Sequence, residues 1–282
     1  MSKILVPVDF SKCSEAALRM AAQIARKIDA EIILLHLIDL PSSEVGMASD
    51  GTPTGPAAIM LMERARRQYE KLLSKPYLKG LKVEDFVDFN KPFEGIADYA
   101  VEKGADLIVM GSHGTGKMSG FFVGSNTEKV VRNSKVPVLV VKKYVPDFNP
   151  KTIVFASGFK EHCHKCFRRL LNLARVYMPD IHLLRVNTIM NFLASHESEA
   201  LINGFLEEHK DEYDPEKLHK AVYDDYSVQE GIFHYADKVD ADIIALSTHG
   251  RQGLLHFLQD SIAEDVVNKA DRNILTFRLE KE

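Results

Sequence analysis

The sequence predicts an α/β protein built from two tandem, doubly wound domains, each with a five-stranded and mostly parallel sheet. Short apolar runs that fit buried parallel strands alternate with helical stretches along the chain. The first half also recurs in the second, since Thr152–Phe155 aligns with Lys3–Val6 and later triplets of Glu, Gly and Ile match. This repeat predicts domains over residues 1–143 and 151–282, joined by a linker that contains two prolines.

The first half is predicted to form five strands separated by helices. Its strands are expected at Ile4–Val8, Glu31–Ile38, Val83–Asp88, Leu107–Met110 and Val136–Val141. Ser11 and Ser14 can cap a helix that runs through Ile28, because serine oxygens accept hydrogen bonds from first-turn amides. The remaining predicted elements are a mobile surface loop from Pro41 to Pro56 and helices over 57–75 and Pro92–Lys103.

Composition and charge narrow the classes of partner. The chain has 36 basic and 40 acidic side chains, a net charge of -4, which gives no electrostatic reason to expect nucleic acid or an anionic membrane. No apolar run approaches the length of a membrane span. Three cysteines do not form a disulfide framework, and the N-terminal sequence leads directly into a strand. These features predict a cytoplasmic protein.

The most informative stretch is the glycine-rich segment after the fourth strand. Gly111 is expected to end that strand, and four more glycines follow, the last being Gly124. Ser125, Asn126 and Thr127 then open a helix. Because the first amides of a helix have no intrahelical acceptor, they favour phosphate. The segment therefore predicts an anion-binding loop, and a plain connecting turn is the alternative.

A P-loop is the first comparison for this segment. Residues Gly111–Lys117 spell GSHGTGK, which matches the pattern as far as the lysine. Met118 then stands where the pattern requires a magnesium-binding hydroxyl, and the loop follows a late strand of the domain. The P-loop interpretation is therefore rejected.

The spacing Gly111-x2-Gly114-x9-Gly124-Ser125 instead resembles the nucleotide loop of the universal stress protein family, in its ATP-binding branch. The resemblance covers nearly the whole chain and implies Rossmann-like domains similar to adenine nucleotide alpha hydrolases. It also implies that the first two glycines lie against ribose and phosphates, while the Gly-Ser pair holds the triphosphate. ATP, alone or with Mg²⁺, is the implied ligand, and AMP or another adenine nucleotide is the alternative.

Asp9 is expected at the carboxyl end of the first strand, at the same edge as the glycine-rich segment, so both should face one crevice. Its carboxylate can accept a ribose hydroxyl or hold a cation, and capping the following helix is the alternative. By resemblance, Pro7-Val8-Asp9 contacts adenine and ribose, and the backbone near Leu37 completes the adenine pocket. His36 is expected to be a packed or hydrogen-bonded core residue. The predicted site comprises Pro7, Val8, Asp9, Leu37, Met110, Gly111, His113, Gly114, Gly124, Ser125, Asn126 and Thr127.

The second half has lost parts of this site. Gly250 and Ser261 are retained as the equivalents of Gly114 and Ser125. Asp260 stands in place of Gly124, and its carboxylate would repel phosphate oxygens. We therefore predict that the second half keeps the fold but binds ATP poorly or not at all, and a diverged but working site is the alternative. The three changed positions are Ser247 for Gly111, Asp260 for Gly124 and Gly158 for Asp9.

The motif His162-Cys163-His164-Lys165-Cys166 raises a metal-binding hypothesis. A C-x2-C pair beside histidines is typical of zinc ligands, but a structural zinc site needs a second ligand pair. Cys13, in the other half, is the only further cysteine. Buried thiols with exposed histidines are therefore favoured over a metal site, and no metal ligand is assigned.

Two functions from different classes remain. In the first, the protein is a stress-response module that binds an adenine nucleotide and so changes the surface it offers to a partner. In the second, it is a slow Mg-dependent ATPase. The module is favoured because no general base, Walker-type hydroxyl or arginine finger can be identified near the loop, so no catalytic residue is assigned. The resemblance also implies that strands Val136–Val141 and Asn273–Leu279 pair, which makes the two domains a pseudo-dimer, and that the chain forms a homodimer.

Overall fold

The computed structural model describes residues 1–46, 48–49, 53–89, 92–112, 124–248 and 257–279 of the chain, without the side chains of 92–94 and 257–261. The first half contains β1 (Lys3–Pro7), α1 (Lys12–Ile28), β2 (Glu31–Ile38), α2 (Ser42–Val45), α3 (Pro56–Leu73), β3 (Val83–Phe89), α4 (Pro92–Glu102), β4 (Leu107–Gly111), α5 (Ser125–Asn133) and β5 (Val138–Val141). The second half contains β6 (Thr152–Ala156), α6 (Cys163–Ala174), β7 (Asp180–Asn187), α7 (Ser195–Glu207), β8 (Leu218–Asp224), α8 (Val228–Lys238), β9 (Ile243–Thr248), α9 (Phe257–Lys269) and β10 (Asn273–Arg278).

The strands of the described chain form one ten-stranded sheet in the order β3-β2-β1-β4-β5-β10-β9-β6-β7-β8. Within each half the neighbouring strands are parallel. The two halves meet through the antiparallel pair β5 and β10, in which Leu139 lies opposite Leu275. The predicted pairing of the terminal strands is therefore confirmed, and it covers one sheet edge of each half.

The sheet is buried on both faces. Ile4 and Val6 of β1 pack in one hydrophobic cluster, together with residues of α1 and α6. Leu5, between them in sequence, packs in the opposite cluster with residues of α5 and α8. Successive strand side chains point to opposite faces, so strands covered on both sides must be apolar throughout. This explains the continuous apolar runs from which the α/β fold was predicted.

Helix α1 begins and ends where the sequence predicts. Ser11 is its N-cap, and the Ser11 side chain accepts a hydrogen bond from the amide of Ser14 at 3.2 Å. At its other end, Asp29 adopts a left-handed conformation with φ of 53°. Met178, the repeat equivalent of Asp29, is also left-handed, with φ of 50°. The repeat therefore extends to backbone conformations that side-chain-bearing residues rarely adopt.

Some predicted boundaries were wrong. Strand β5 begins at Val138 and not at Val136, because hydrogen bonds between Ser134 Oγ and both polar backbone groups of Val136 hold that segment in a turn. Gly111 belongs to β4, which it was expected to end. The stretch predicted as a loop contains α2, whose Val45 carbonyl accepts the amide of Gly55 at 2.8 Å. Within the described residues, no helix is both long and apolar enough to cross a membrane.

Candidate functional site

The predicted crevice lies where β1 and β4 end side by side. The two strands are parallel, with Leu5 level with Ile108. Continuing that register along both strands brings Val8 level with Gly111. From β1 the chain continues to β2 on one side, and from β4 it continues to β5 on the other side. The connections therefore diverge at this point, which is where doubly wound folds bind ligands.

Gly111 is required by the packing of α1. A Cβ at this position would lie 2.7 Å from the carbonyl oxygen of Cys13 and 2.8 Å from its carbonyl carbon. Both are backbone atoms in the first turn of α1, so they cannot rotate away. Gly111 was expected to lie against a ligand, and the structure adds a second requirement, because the lack of a Cβ lets α1 pack against the end of β4.

The start of α5 is fixed against the same strand end. The amide of Gly124 donates to the carbonyl of Ser112 at 2.6 Å. The hydroxyl of Thr127, which is buried, donates to the carbonyl of Gly111 at 3.0 Å. These two bonds hold the first turn of α5 beside the crevice. His113 and Gly114, which were predicted to belong to the site, lie outside the described residues.

The first turn of α5 presents its amides toward the crevice edge without a side-chain cap. Gly124 is the N-cap residue and contributes no side-chain oxygen. Ser125 and Asn126 are exposed. No described residue accepts a hydrogen bond from the amides of Ser125, Asn126 or Thr127. Such a helix start can bind an anion, because its partial positive charge and its donors point the same way.

Asp9 is not the cap of α1, which is Ser11, but its carboxylate is bonded to the backbone of that cap residue. One carboxylate oxygen of Asp9 accepts the amide of Ser11 at 3.0 Å. No described residue bonds the second oxygen, and the side chain is partly exposed. Asp9 therefore steadies the turn between β1 and α1 while keeping one oxygen available to a ligand.

The backbone of Val8 is held by β2. The Val8 amide donates to the carbonyl of Leu35 at 2.9 Å, and His36 Nδ1 donates to the Val8 carbonyl at 2.7 Å. This confirms His36 as a hydrogen-bonded residue. Beyond Leu35 the described part of β2 has only β3 beside it, so the β1-facing side at Leu37 is open toward the crevice.

Sequence reasoning missed the residue that holds His36 in place. Phe10 has a left-handed φ of 60°, and its ring centroid lies 4.7 Å from that of His36 and 5.2 Å from that of Tyr69. Burial raises the pKa of Tyr69, whose hydroxyl donates to the carbonyl of Phe86. A signal existed, because Phe159 recurs at the repeat position with φ of 53°.

The equivalent edge of the second half differs in geometry. Ser247 carries a side chain at the position where Gly111 can carry none. The helix that follows also begins later in the second half. Helix α6 begins at Cys163, the repeat equivalent of Ser14, whereas α1 begins at Lys12. Gly158 is exposed, with open space where its Cβ would be. Gly250 and the side chains of Asp260 and Ser261 lie outside the described residues.

The cysteine-histidine motif forms no metal centre in the described chain. Cys163 and Cys166 are buried, with 3% and 1% of their surface exposed. No group of three or more His, Cys, Asp or Glu residues with suitable geometry occurs among the residues that the structure describes. His162 is exposed, as expected. His164 is only partly exposed, and its Nδ1 lies 2.8 Å from His209 Nε2. The expectation of two exposed histidines was wrong for His164.

Comparison with known proteins gives the family. The model of the universal stress protein family matches residues 1–142 and again 149–278. Universal stress protein MJ0577 of Methanocaldococcus jannaschii is 34% identical over 153 residues, which span 50% of this chain and 94% of that protein. Universal stress protein MJ0531 of the same organism is 33% identical over 141 residues, spanning 50% of this chain and 82% of that protein.

A solved structure resembles the whole chain. The crystal structure of a universal stress protein from Archaeoglobus fulgidus superposes with a TM-score of 0.73, covering 99% of this chain and 97% of that one. The two sequences are 17% identical, so this likeness concerns the fold alone. The relatives correspond to one half of the chain, and the fold neighbour corresponds to both. The chain therefore belongs to the universal stress protein family, as two successive domains in one polypeptide.

Proposed function

We propose that the first half binds ATP or another adenine nucleotide in the crevice between β1 and β4. The observation that carries the proposal is the start of α5, which lacks a side-chain cap and is fastened to the end of β4 by Gly124 and Thr127. A fixed set of amides loses little freedom when it binds phosphate, so the binding site is preorganised.

The surrounding residues fit the rest of a nucleotide. The available oxygen of Asp9 can accept a ribose hydroxyl or hold a Mg²⁺ ion beside the phosphates. The open edge of β2 at Leu37 offers backbone groups to the adenine edge. Pro7 is partly exposed at the end of β1 and can offer apolar surface, whereas Val8 and Met110 are each 5% exposed and pack in the core. Gly111 acts indirectly, by letting α1 approach.

The second half is proposed to bind the nucleotide poorly. Its Gly158 offers no carboxylate where Asp9 stands, and its Ser247 carries a side chain where Gly111 has none. In sequence, Asp260 also places a negative charge at the position of Gly124. Two like charges a few ångströms apart repel by about 1–4 kcal/mol at a protein surface.

The biological role follows from a single occupied domain. A ligand that bonds Asp9 and the amides of α5 links the two ends of the crevice, and so favours conformations in which both are correctly placed. We infer a regulatory module in which nucleotide binding changes the surface that the crevice edge, between Asp9 and the first turn of α5, offers to a partner. A partner would then distinguish the bound state from the free state.

A pair of substitutions at Gly124 tests the proposal. Gly124 has φ of -64°, a backbone conformation that residues with a side chain adopt readily. Gly124→Asp and Gly124→Asn both add a good N-cap of nearly equal size, but only aspartate adds charge. We expect isothermal titration calorimetry with Mg-ATP to show at least about tenfold weaker binding for Gly124→Asp than for Gly124→Asn.

Thermal stability of the two variants separates binding from folding. Both caps should stabilise α5 to a similar extent, so their melting temperatures without ligand should agree. Equal affinities for Mg-ATP in the two variants would show that the phosphates lie elsewhere. Absence of binding by the unmodified chain would refute the proposed function itself.

A further inference from the structure

The ten-stranded sheet has two outer strands, β3 at one end and β8 at the other, and no described strand pairs with the outer side of either. Strands within each half are parallel, whereas the halves meet through an antiparallel pair. It follows that β3 and β8 run in opposite directions. A second copy that continues the sheet in the same orientation would therefore bring its β3 antiparallel to β8 of the first copy.

The hydrogen bonds between β3 and β2 show which backbone groups of β3 point outward. The carbonyl of Lys82 points to β2, where it accepts the amide of Ile32 at 2.9 Å. The amide and carbonyl of one residue point to the same side of a strand, and successive residues alternate. The outward-pointing residues of β3 are therefore Val83, Asp85 and Val87.

The same reasoning applies to β8. The amide of Asp225, just after the strand, donates to the carbonyl of Asn187 in β7 at 3.0 Å. The residues of β8 that alternate with it point away from β7, and they include Leu218, Lys220 and Val222. Both edges thus offer rows of donors and acceptors, which is what another strand needs in order to pair.

The two edges differ in charge. Strand β3 contains three carboxylates and no basic side chain. One of them, Asp85, is exposed and forms no ion pair with a described residue. On β8, Lys220 is exposed, and its Nζ donates to the side-chain oxygen of Asn203 at 3.0 Å, which leaves its charge without a carboxylate. Two copies of β3 side by side would repel each other, whereas β3 and β8 attract.

One register satisfies the backbone, the charges and the apolar side chains together. If Asp85 of one copy lies opposite Lys220 of the next, outward-pointing residues oppose each other along the whole contact, as an antiparallel ladder requires. Two apolar pairs then flank the ion pair, namely Val83 with Val222 and Val87 with Leu218. These four side chains are partly exposed and lie on the same face of the sheet, beside one hydrophobic cluster. Asp224, the carboxylate of β8, falls beyond the first residue of β3 in this register.

We propose that the chain associates with further copies of itself through this contact, with β3 of one copy antiparallel to β8 of the next. The contact is heterologous, so every complex keeps one free β3 and one free β8 and can grow further. It uses the outer strands of the sheet and no residue of the nucleotide crevice, so it does not rest on the proposed function.

Sedimentation equilibrium of the full chain without nucleotide tests the association. We expect the weight-average mass to rise continuously between about 10 μM and about 1 mM protein, and not to level off at twice the monomer mass. A monomer mass over this whole range would overturn the proposal. A mass that levels off at the dimer would also overturn it, because the contact would then be a closed twofold one.

Charge reversal tests the pairing itself. Asp85→Lys and Lys220→Asp each place like charges opposite one another, so each variant alone should associate at least about tenfold more weakly. An equal mixture of the two variants restores opposite charges at every contact between unlike chains, so its mass should rise again. Lys27→Asp, an exposed reversal on α1, is the matched control and should associate like the unmodified chain.

The mixture separates lost pairing from lost folding, because two misfolded variants could not restore the association of each other. Association that persists in both single variants would overturn the proposed pairing. A mixture that stays as weakly associated as its components would overturn it as well, since the two positions would then not face each other.

Discussion

Replacement of Gly111 by alanine tests whether the first turn of α1 depends on the absence of a side chain. The added Cβ would lie 2.7 Å from the Cys13 carbonyl oxygen, 2.8 Å from its carbonyl carbon and 3.1 Å from its Cβ. Relief requires the end of β4 and the start of α1 to move apart, and such overpacking costs about 1–3 kcal/mol. Each kcal/mol lowers the melting temperature of a domain of this size by about 2–4 °C, so we expect a fall of about 2–12 °C.

Gly158→Ala provides the matched control. A Cβ at Gly158 meets nothing within 4 Å. This substitution should leave the melting temperature unchanged or raise it slightly, because alanine restricts the unfolded chain more than glycine does. Differential scanning calorimetry of both variants measures the difference. An unchanged melting temperature for Gly111→Ala, or equal losses in both variants, would refute the packing argument.

Two further substitutions test the local structure and the pH response. Ser11→Ala removes the oxygen that caps the amide of Ser14, so the urea unfolding midpoint should fall by the equivalent of about 1 kcal/mol. An unaltered midpoint would mean that the cap contributes nothing. Burial lowers the pKa of His209 from its usual value of about 6.5, so the folded state favours the neutral imidazole. Its stabilising contribution is therefore present above about pH 6.5 and is lost as the pH falls below that value. Thermal melts between about pH 7.5 and pH 5 should show a smaller loss of stability for His209→Gln than for the unmodified chain, and equal losses would contradict this assignment.

Much of the fold could be predicted because its signals are local. Apolar runs in the strands reflect burial on both faces, and this property is visible in any window of sequence. The cap at Ser11 depends on residues three positions apart. The pairing of β5 with β10 followed from the repeat and the resemblance, since two equivalent terminal strands can protect one another's edges.

The sequence could not show why several residues of the proposed site are needed, because the reasons depend on contacts with residues far away in the chain. Gly111 was singled out by its spacing in the glycine-rich segment, but the atoms that exclude a side chain there belong to Cys13, far away in sequence. His36 was expected to be hydrogen-bonded, but its partner at Val8 depends on the alignment of β1 with β2. The side-chain amide of Gln23 bonds the backbone of Val145 and Phe148 in the linker, and these bonds form only once α1 packs on β5.

The motif at His162–Cys166 shows how a local pattern misleads. Its cysteines read as ligands in sequence, yet both side chains point into the hydrophobic cluster beneath α6. His164 bonds to His209, which follows α7, so its environment depends on how the two helices pack. Spacing alone cannot distinguish a ligand pair from two buried thiols on one helix face.

Crystals grown with Mg-ATP would show where the nucleotide binds. We expect electron density in the first half alone, with phosphates at the amides of Ser125 to Thr127, ribose beside Asp9 and adenine near Leu37. Density confined to the crevice between β6 and β9, or absent from both crevices, would contradict this expectation.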